Sequence, residues 1–113
     1  MTDFRELRSE ALKDGGTLAK AAPETIRAFS ALLQTTTKDG ALSHKTKELI
    51  AFALGIASHC EGCLAHHAHA LVKAGATREE VVEAIGVAIS MGGGPSSVYG
   101  ALALKAYDTS AQG

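Results

Sequence analysis

Residues Glu48 to His69 read ELIAFALGIASHCEGCLAHHAH. This stretch holds both cysteines of the 113-residue chain, Cys60 and Cys63, and four of its five histidines, His59, His66, His67 and His69. The fifth, His44, lies just upstream. Leu49, Ile50, Ala53, Leu54 and Ala57 recur at helical spacing and are expected to form a broad buried face of a helix over His44–Ser58, capped by Ser43. Glu48 falls on a different stripe, with Phe52 and Gly55, which suggests that it points partly inward. A surface pair with Lys45 is the plainer alternative. The helix is expected to break over Ser58–Gly62. A second helix, Cys63–Ala74, then runs to a terminator at Gly75.

The same punctuation extends in both directions. Upstream, Phe4, Leu7, Ala11 and Leu12 predict a helix from Asp3 to about Lys13, capped by Thr2 or Asp3 and stopped by Asp14-Gly15-Gly16. A short apolar stretch, Leu18–Ala22, leads to Pro23, which suits a first helical position. Ile26, Phe29, Leu32 and Leu33 then form a stripe read as core, closed by Lys38-Asp39-Gly40. Downstream, Thr77-Arg78-Glu79-Glu80 is a capping box. The helix after it carries Val81, Val82, Ile85, Ala88 and Ile89, and Met91-Gly-Gly-Gly-Pro95 breaks it. A last helix, about Pro95–Tyr107, carries Val98, Leu102 and Ala106, and the tail from Thr109 is expected to fray. No run alternates with a strand period. The expectation is an all-α bundle of about six helices in one domain spanning residues 1–113.

Charge narrows the partners. Eleven Lys and Arg against twelve Asp and Glu leave a net charge of −1. No basic cluster favours nucleic acid or an anionic membrane. The charged start, MTDFRELRSE, is not a signal peptide. The one long uncharged run, Ala84–Leu104, is interrupted by MGGGPSS, so no membrane span is expected. A cytoplasmic location follows as an expectation. In a reducing compartment, two cysteines three residues apart read as redox-active or metal-binding rather than as a structural staple.

Helical geometry sorts the histidines. With Cys60 at the origin of a helix turning about 100° per residue, Cys63 and His67 fall with it on one stripe about 60° wide. His66 lies off that stripe beside Cys63, and His69 lies opposite Cys60. His67 is therefore the preferred base and His66 the reserve. A thiolate is the attacking species, and a helix N-terminus and an imidazole both favour it. A second thiol converts a sulfenic acid into a disulfide before further oxidation. Dithiol redox chemistry is the reading these residues support. The dipole argument points to Cys60 as the nucleophile and the proton-transfer argument to Cys63. A zinc module built on Cys60, Cys63 and His67 lacks the distant second ligand pair usual for zinc. Neither a bound metal nor a cofactor is expected. His44, His66, His69 and His59 have solvated or packing roles as their plainer reading, and for His59, which precedes the cysteine, tuning of Cys60 is the alternative. The glycine run at 92–94 has no preceding strand and no following Lys-Ser/Thr, so it reads as a turn and not a phosphate loop.

Glu48, eleven intervening residues, and then Cys60-x-x-Cys63-x-x-x-His67 resemble the signature of the carboxymuconolactone decarboxylase / alkylhydroperoxidase D (AhpD)-like family. GALSHKTKELI (40–50), AGATREEVVEA (74–84) and MGGGP (91–95) resemble its small single-domain members, and the likeness runs from about Leu18 to Tyr107. The resemblance implies an AhpD-like helical bundle that assembles as a homo-oligomer, commonly a trimer or hexamer. It also implies a hydroperoxide substrate and an external thiol reductant, a lipoyl or thioredoxin-like protein. Cys63 would be the peroxidatic cysteine, Cys60 the resolving one, His67 the base and Glu48 its partner in a proton relay. Gly62 departs from the peroxidase members, which often carry histidine before the second cysteine, so either the relay is shorter or His59 or His66 substitutes. The alternative is a thiol-disulfide redox partner or sensor without efficient turnover. The family's lactone decarboxylases generally work without this cysteine pair, which argues against that lyase activity here.

Overall fold

The computed structural model describes residues 2–113 as six helices: α1 Phe4–Ala21, α2 Pro23–Thr37, α3 His44–Ala57, α4 Glu61–Lys73, α5 Arg78–Gly92 and α6 Gly94–Ala111. The starts are set by side chains that satisfy open amide groups. Asp3 accepts from the Arg5 and Glu6 amides, Ser43 from Thr46, and Thr77 from Glu80. The Glu80 carboxylate returns a bond to the Thr77 amide at 2.8 Å, completing the capping box. Pro23 opens α2 and Pro95 lies in the first turn of α6, where a missing N–H breaks no helical bond.

α3, α4, α5 and α6 enclose the core, and α1 lies against α4 and α6. Phe52, Ile56, Leu64, Leu71 and Val81 are fully buried at its centre. Tyr107 adds a polar tie, its hydroxyl donating to the Ala76 carbonyl at 2.7 Å. Gly100 lets α6 approach α5, because a Cβ there would meet Ile85 Cγ2 at 2.9 Å. No strand occurs among the described residues, and no helix among them is long and apolar enough to cross a membrane.

Four features differ from the sequence reading. α1 does not stop at Gly15-Gly16 but runs to Ala21. Neither glycine adopts positive φ, and each is surrounded by open space. Two interior glycines cost about 1 kcal/mol each in helix propensity, which weakens a helix without ending it. Pro23 supplies the stop, since the residue before a proline is driven out of the α region. Ala22 accordingly sits at φ −133°, ψ 64°. α2 buries no residue, and its stripe is open, with Phe29 54% and Leu32 57% exposed.

The third difference is the face of α3. Its buried residues are Glu48, Phe52, Gly55 and Ile56, whereas Ile50 and Leu54 are exposed. The narrower stripe turns inward because Gly55 lets α4 close upon it. A Cβ at Gly55 would lie 3.2 Å from Cys63 Cβ and 3.6 Å from Leu64 Cδ2. Glu48 therefore goes in with the core, and Lys45 pairs with Glu80 at 2.9 Å instead. Fourth, α6 extends past Tyr107 to Ala111, with the Arg78–Asp108 ion pair at 2.9 Å tying its last turns to α5. On α5 and α6, Val82 and Val98 lie outside the core.

Candidate active site

The site forms where α3 hands over to α4. Ser58 ends α3, and His59 adopts φ 55°, the only non-glycine residue with positive φ among those described. The His59 amide donates to the Ile56 carbonyl and the Cys60 amide to the Gly55 carbonyl, both at 3.1 Å. That pair of bonds is a Schellman motif, whose left-handed position is usually glycine. The end of α4 repeats the pattern with Gly75 at φ 79° and bonds from Gly75 to Val72 and Ala76 to Leu71. At His59 the left-handed conformation costs roughly 1–2 kcal/mol. Stacking of its ring on Tyr99 of α6, 4.6 Å between centroids and 14° between planes, offsets part of that cost.

This turn sets Cys60 as the N-cap of α4, just outside the helix. Its Sγ accepts from the Cys63 amide at 3.1 Å, so the sulfur sits at the positive end of the helix dipole. Cys60 and Cys63 are joined as a disulfide, with Cα atoms 5.2 Å apart. Both cysteines are half-buried. Gly62 between them is exposed, and a Cβ there would meet nothing within 4 Å.

His67 lies one turn beyond Cys63 on the same helical face. Its Nδ1 is 2.6 Å from Glu48 Oε1. The Glu48 residue is only 4% exposed, and the His67 side chain is 16% exposed. A carboxylate oxygen only accepts, so in a bond to ionised Glu48 the Nδ1–H of His67 is the donor and Nε2 is the ring nitrogen left free of that contact. A buried carboxylate without such a partner would be strongly disfavoured. The contact thus orients the imidazole and accommodates the buried acid together.

The other histidines separate. His66 lies edge-on to His67, 4.9 Å between centroids and 84° between planes. The crowding of its inner side holds its pKa below the ordinary value, with the nearby His67 and Arg8 adding to the effect and Glu48 opposing it. His69 lines a cavity with Arg5 and Arg8. Its pKa is also lowered, by partial burial and then by Arg8. His44 opens α3 and reaches back to the end of α2, its Nδ1 2.6 Å from the Thr37 carbonyl oxygen. No three His, Cys, Asp or Glu side chains gather in metal-binding geometry among the described residues.

Gly55, Tyr99 and Arg8 also shape this region and were not singled out in the sequence. Gly55 shares a helical stripe with Glu48, which is a weak signal. Tyr99 and Arg8 carry no local signal, since each reaches the site from a distant helix.

The arrangement supplies a thiol pair able to close and open, at a helix N-terminus, with an oriented imidazole one turn away. Comparison with known proteins agrees with this architecture. The sequence profile of the Carboxymuconolactone decarboxylase family matches residues 23–106. An uncharacterized protein of Cupriavidus necator is 36% identical over 107 residues, covering 95% of each chain. Uncharacterized protein 4 in the cox locus of Paracoccus denitrificans is 36% identical over 93 residues, covering 82% of this chain and 84% of that one. The crystal structure of an apo carboxymuconolactone decarboxylase family protein from Legionella pneumophila superposes with a TM-score of 0.94 at 46% identity, covering 96% of each chain. The chain therefore belongs to the carboxymuconolactone decarboxylase family.

Proposed function

We propose that this protein is a dithiol hydroperoxidase of the AhpD-like type. The observation that carries the reading is the 2.6 Å contact between Glu48 and His67, one helical turn beyond a bridged Cys60–Cys63 pair. In the reduced protein His67 Nε2 takes the Cys63 proton, directly or through a water. The Cys63 thiolate attacks the terminal oxygen of a hydroperoxide, and the O–O bond breaks. Cys63 becomes a sulfenic acid, and the departing alkoxide takes a proton from the imidazolium to leave as alcohol. The Cys60 thiol then attacks the Cys63 sulfur, forming the disulfide and releasing water. An external dithiol, on a lipoyl or thioredoxin-like protein, returns both cysteines to thiols and is itself oxidised to a disulfide.

The protein would act in the cytoplasm as a homo-oligomer, a trimer or hexamer. The exposed Phe29 and Leu32 of α2, with Ile50 and Leu54 of α3, support self-association. A monomer in sedimentation at micromolar concentration would refute it.

One observation favours a second reading, a redox partner or sensor. Gly62 leaves the space between the cysteines without a side chain, so the relay has no base there. Peroxide consumption with a lipoyl or thioredoxin-type reductant separates the two, since a sensor is oxidised without sustained turnover. The same assay tests the proposal residue by residue. Cys63→Ser is expected to abolish consumption, and Cys60→Ser to leave a sulfenic acid that over-oxidises. His67→Ala is expected to slow oxidation by roughly 10²–10⁴-fold. Normal turnover by Cys63→Ser overturns the assignment.

A further inference from the structure

α3 and α4 end in the same left-handed turn, but only α4 uses glycine there. The position after α4 is Gly75, φ 79°, with open space around it. The position after α3 is His59, φ 55°, an exposed residue. A side chain disfavours this conformation, whereas glycine adopts it freely. What His59 adds is its ring, stacked on Tyr99 with 4.6 Å between centroids and 14° between planes. Tyr99 is half-buried against the core and sits beside Gly100, where α6 closes onto Ile85 of α5. The ring that receives His59 is thus anchored in the packed bundle.

The next residue is Cys60. Its amide donates to the Gly55 carbonyl across the turn, and its Sγ accepts from the Cys63 amide as the cap of α4. Both bonds depend on the left-handed step at His59, which turns the chain from the end of α3 into the start of α4. In the oxidised protein the Cys60–Cys63 bond helps to hold that turn. In the dithiol the bond is gone, and a strained turn relaxes unless another contact holds it. We propose that Tyr99 is a positioning residue for the dithiol: by stacking on His59 it keeps Cys60 at the cap of α4 when the pair is reduced, within reach of the Cys63 sulfur. A thiol held near its target acts at a higher effective concentration, so the stack favours closure of the disulfide. His59 then tunes the pair through the backbone and not as a base. The inference rests on the dithiol chemistry proposed above and not on peroxide as the oxidant.

The test is the equilibrium of the whole protein with glutathione at neutral pH, read as the ratio of dithiol to disulfide after acid quenching and thiol alkylation. The pair gives two electrons and two protons to glutathione disulfide, which leaves as two glutathione thiols. Tyr99→Ala is expected to lower the equilibrium constant for disulfide formation roughly three- to tenfold, the worth of an aromatic stack. His59→Ala, at an exposed position, is expected to do the same. Tyr99→Phe keeps the ring and is expected to stay within about twofold of wild type. Glycine holds the left-handed turn without a partner, so in a His59→Gly background Tyr99→Ala is expected to change the constant by less than about twofold. A Tyr99 that merely supports the fold would lose as much in that background as in wild type, and that result overturns the proposal. Folded Tyr99→Ala and His59→Ala proteins that both match wild type overturn it as well. Absence of peroxide consumption alongside the expected equilibria would refute the peroxidase reading alone.

Discussion

Replacing Glu48 with Gln tests the centre of the proposed mechanism. The substitution keeps the shape of the side chain and keeps a carbonyl oxygen to accept from His67 Nδ1. What it removes is the negative charge. The pair is 2.6 Å apart and Glu48 is 4% exposed, so solvent screens it little. Hydrogen bonds to charged groups contribute about 1.5–3 kcal/mol, against about 0.5–1.5 kcal/mol for neutral ones. The charge therefore supplies roughly 1–1.5 kcal/mol towards the imidazolium that forms when Cys63 loses its proton. That difference corresponds to a roughly tenfold slower reaction. Glu48→Ala removes the acceptor too and leaves the imidazole tautomer unset, so a larger loss is expected. The assay is rapid mixing of pre-reduced protein with hydrogen peroxide at neutral pH, quenched in acid, with free thiols counted over time. Circular dichroism melting establishes that each variant is folded. If folded Glu48→Gln oxidises within twofold of wild type, the charge on Glu48 does not assist His67 and the relay is wrong.

Two further predictions concern packing and pH. Gly55→Val places branched carbons where even a Cβ would lie 3.2 Å from Cys63 Cβ, so α4 must move away from α3. Overpacking of this kind costs about 1–3 kcal/mol, and a melting temperature lowered by several degrees, with slower disulfide closure, is expected. An unchanged melting temperature would show that the helices do not meet there as described. Stability should also fall as pH drops below about 6.5, because the folded protein holds His66 below the ordinary histidine value and the unfolded chain then binds more protons. The groups facing His66 are His67, Arg8 and Glu48. His66→Gln should flatten the fall between neutral pH and about pH 5, leaving the share that His69 contributes through its own lowered pKa. Equal slopes in wild type and variant would contradict it.

Much of this protein is local and is written in short motifs. Six helices, the Ser43 and Thr77 caps, Pro23 at the start of α2 and Gly75 after α4 all follow from residues within a turn of the boundary they set. The same holds for Cys63 and His67, because a spacing of four residues on a helix is a statement about one face. Cys60 needed more. Its cap position depends on His59 taking a left-handed conformation that its side chain does not prefer, and Tyr99 stacks on that histidine from another helix.

The stripe shared with Phe52 and Gly55 already turned Glu48 partly inward, but the tertiary structure decided which face of α3 is buried and how deeply Glu48 goes in. α3 has two apolar faces, and periodicity cannot say which one meets the rest of the same chain. The broader one, through Ile50 and Leu54, lies outward, and the one bearing Gly55 turns in because a glycine admits α4 to close range. That choice carries Glu48 into the core, nineteen residues from the histidine it orients. Local sequence encodes helices and their ends through capping and backbone preference, whereas contacts between helices depend on the shapes that meet. The Cys-x-x-Cys and His67 could therefore be placed on one face from their spacing, while the Glu48 contact that orients His67 required the packed bundle.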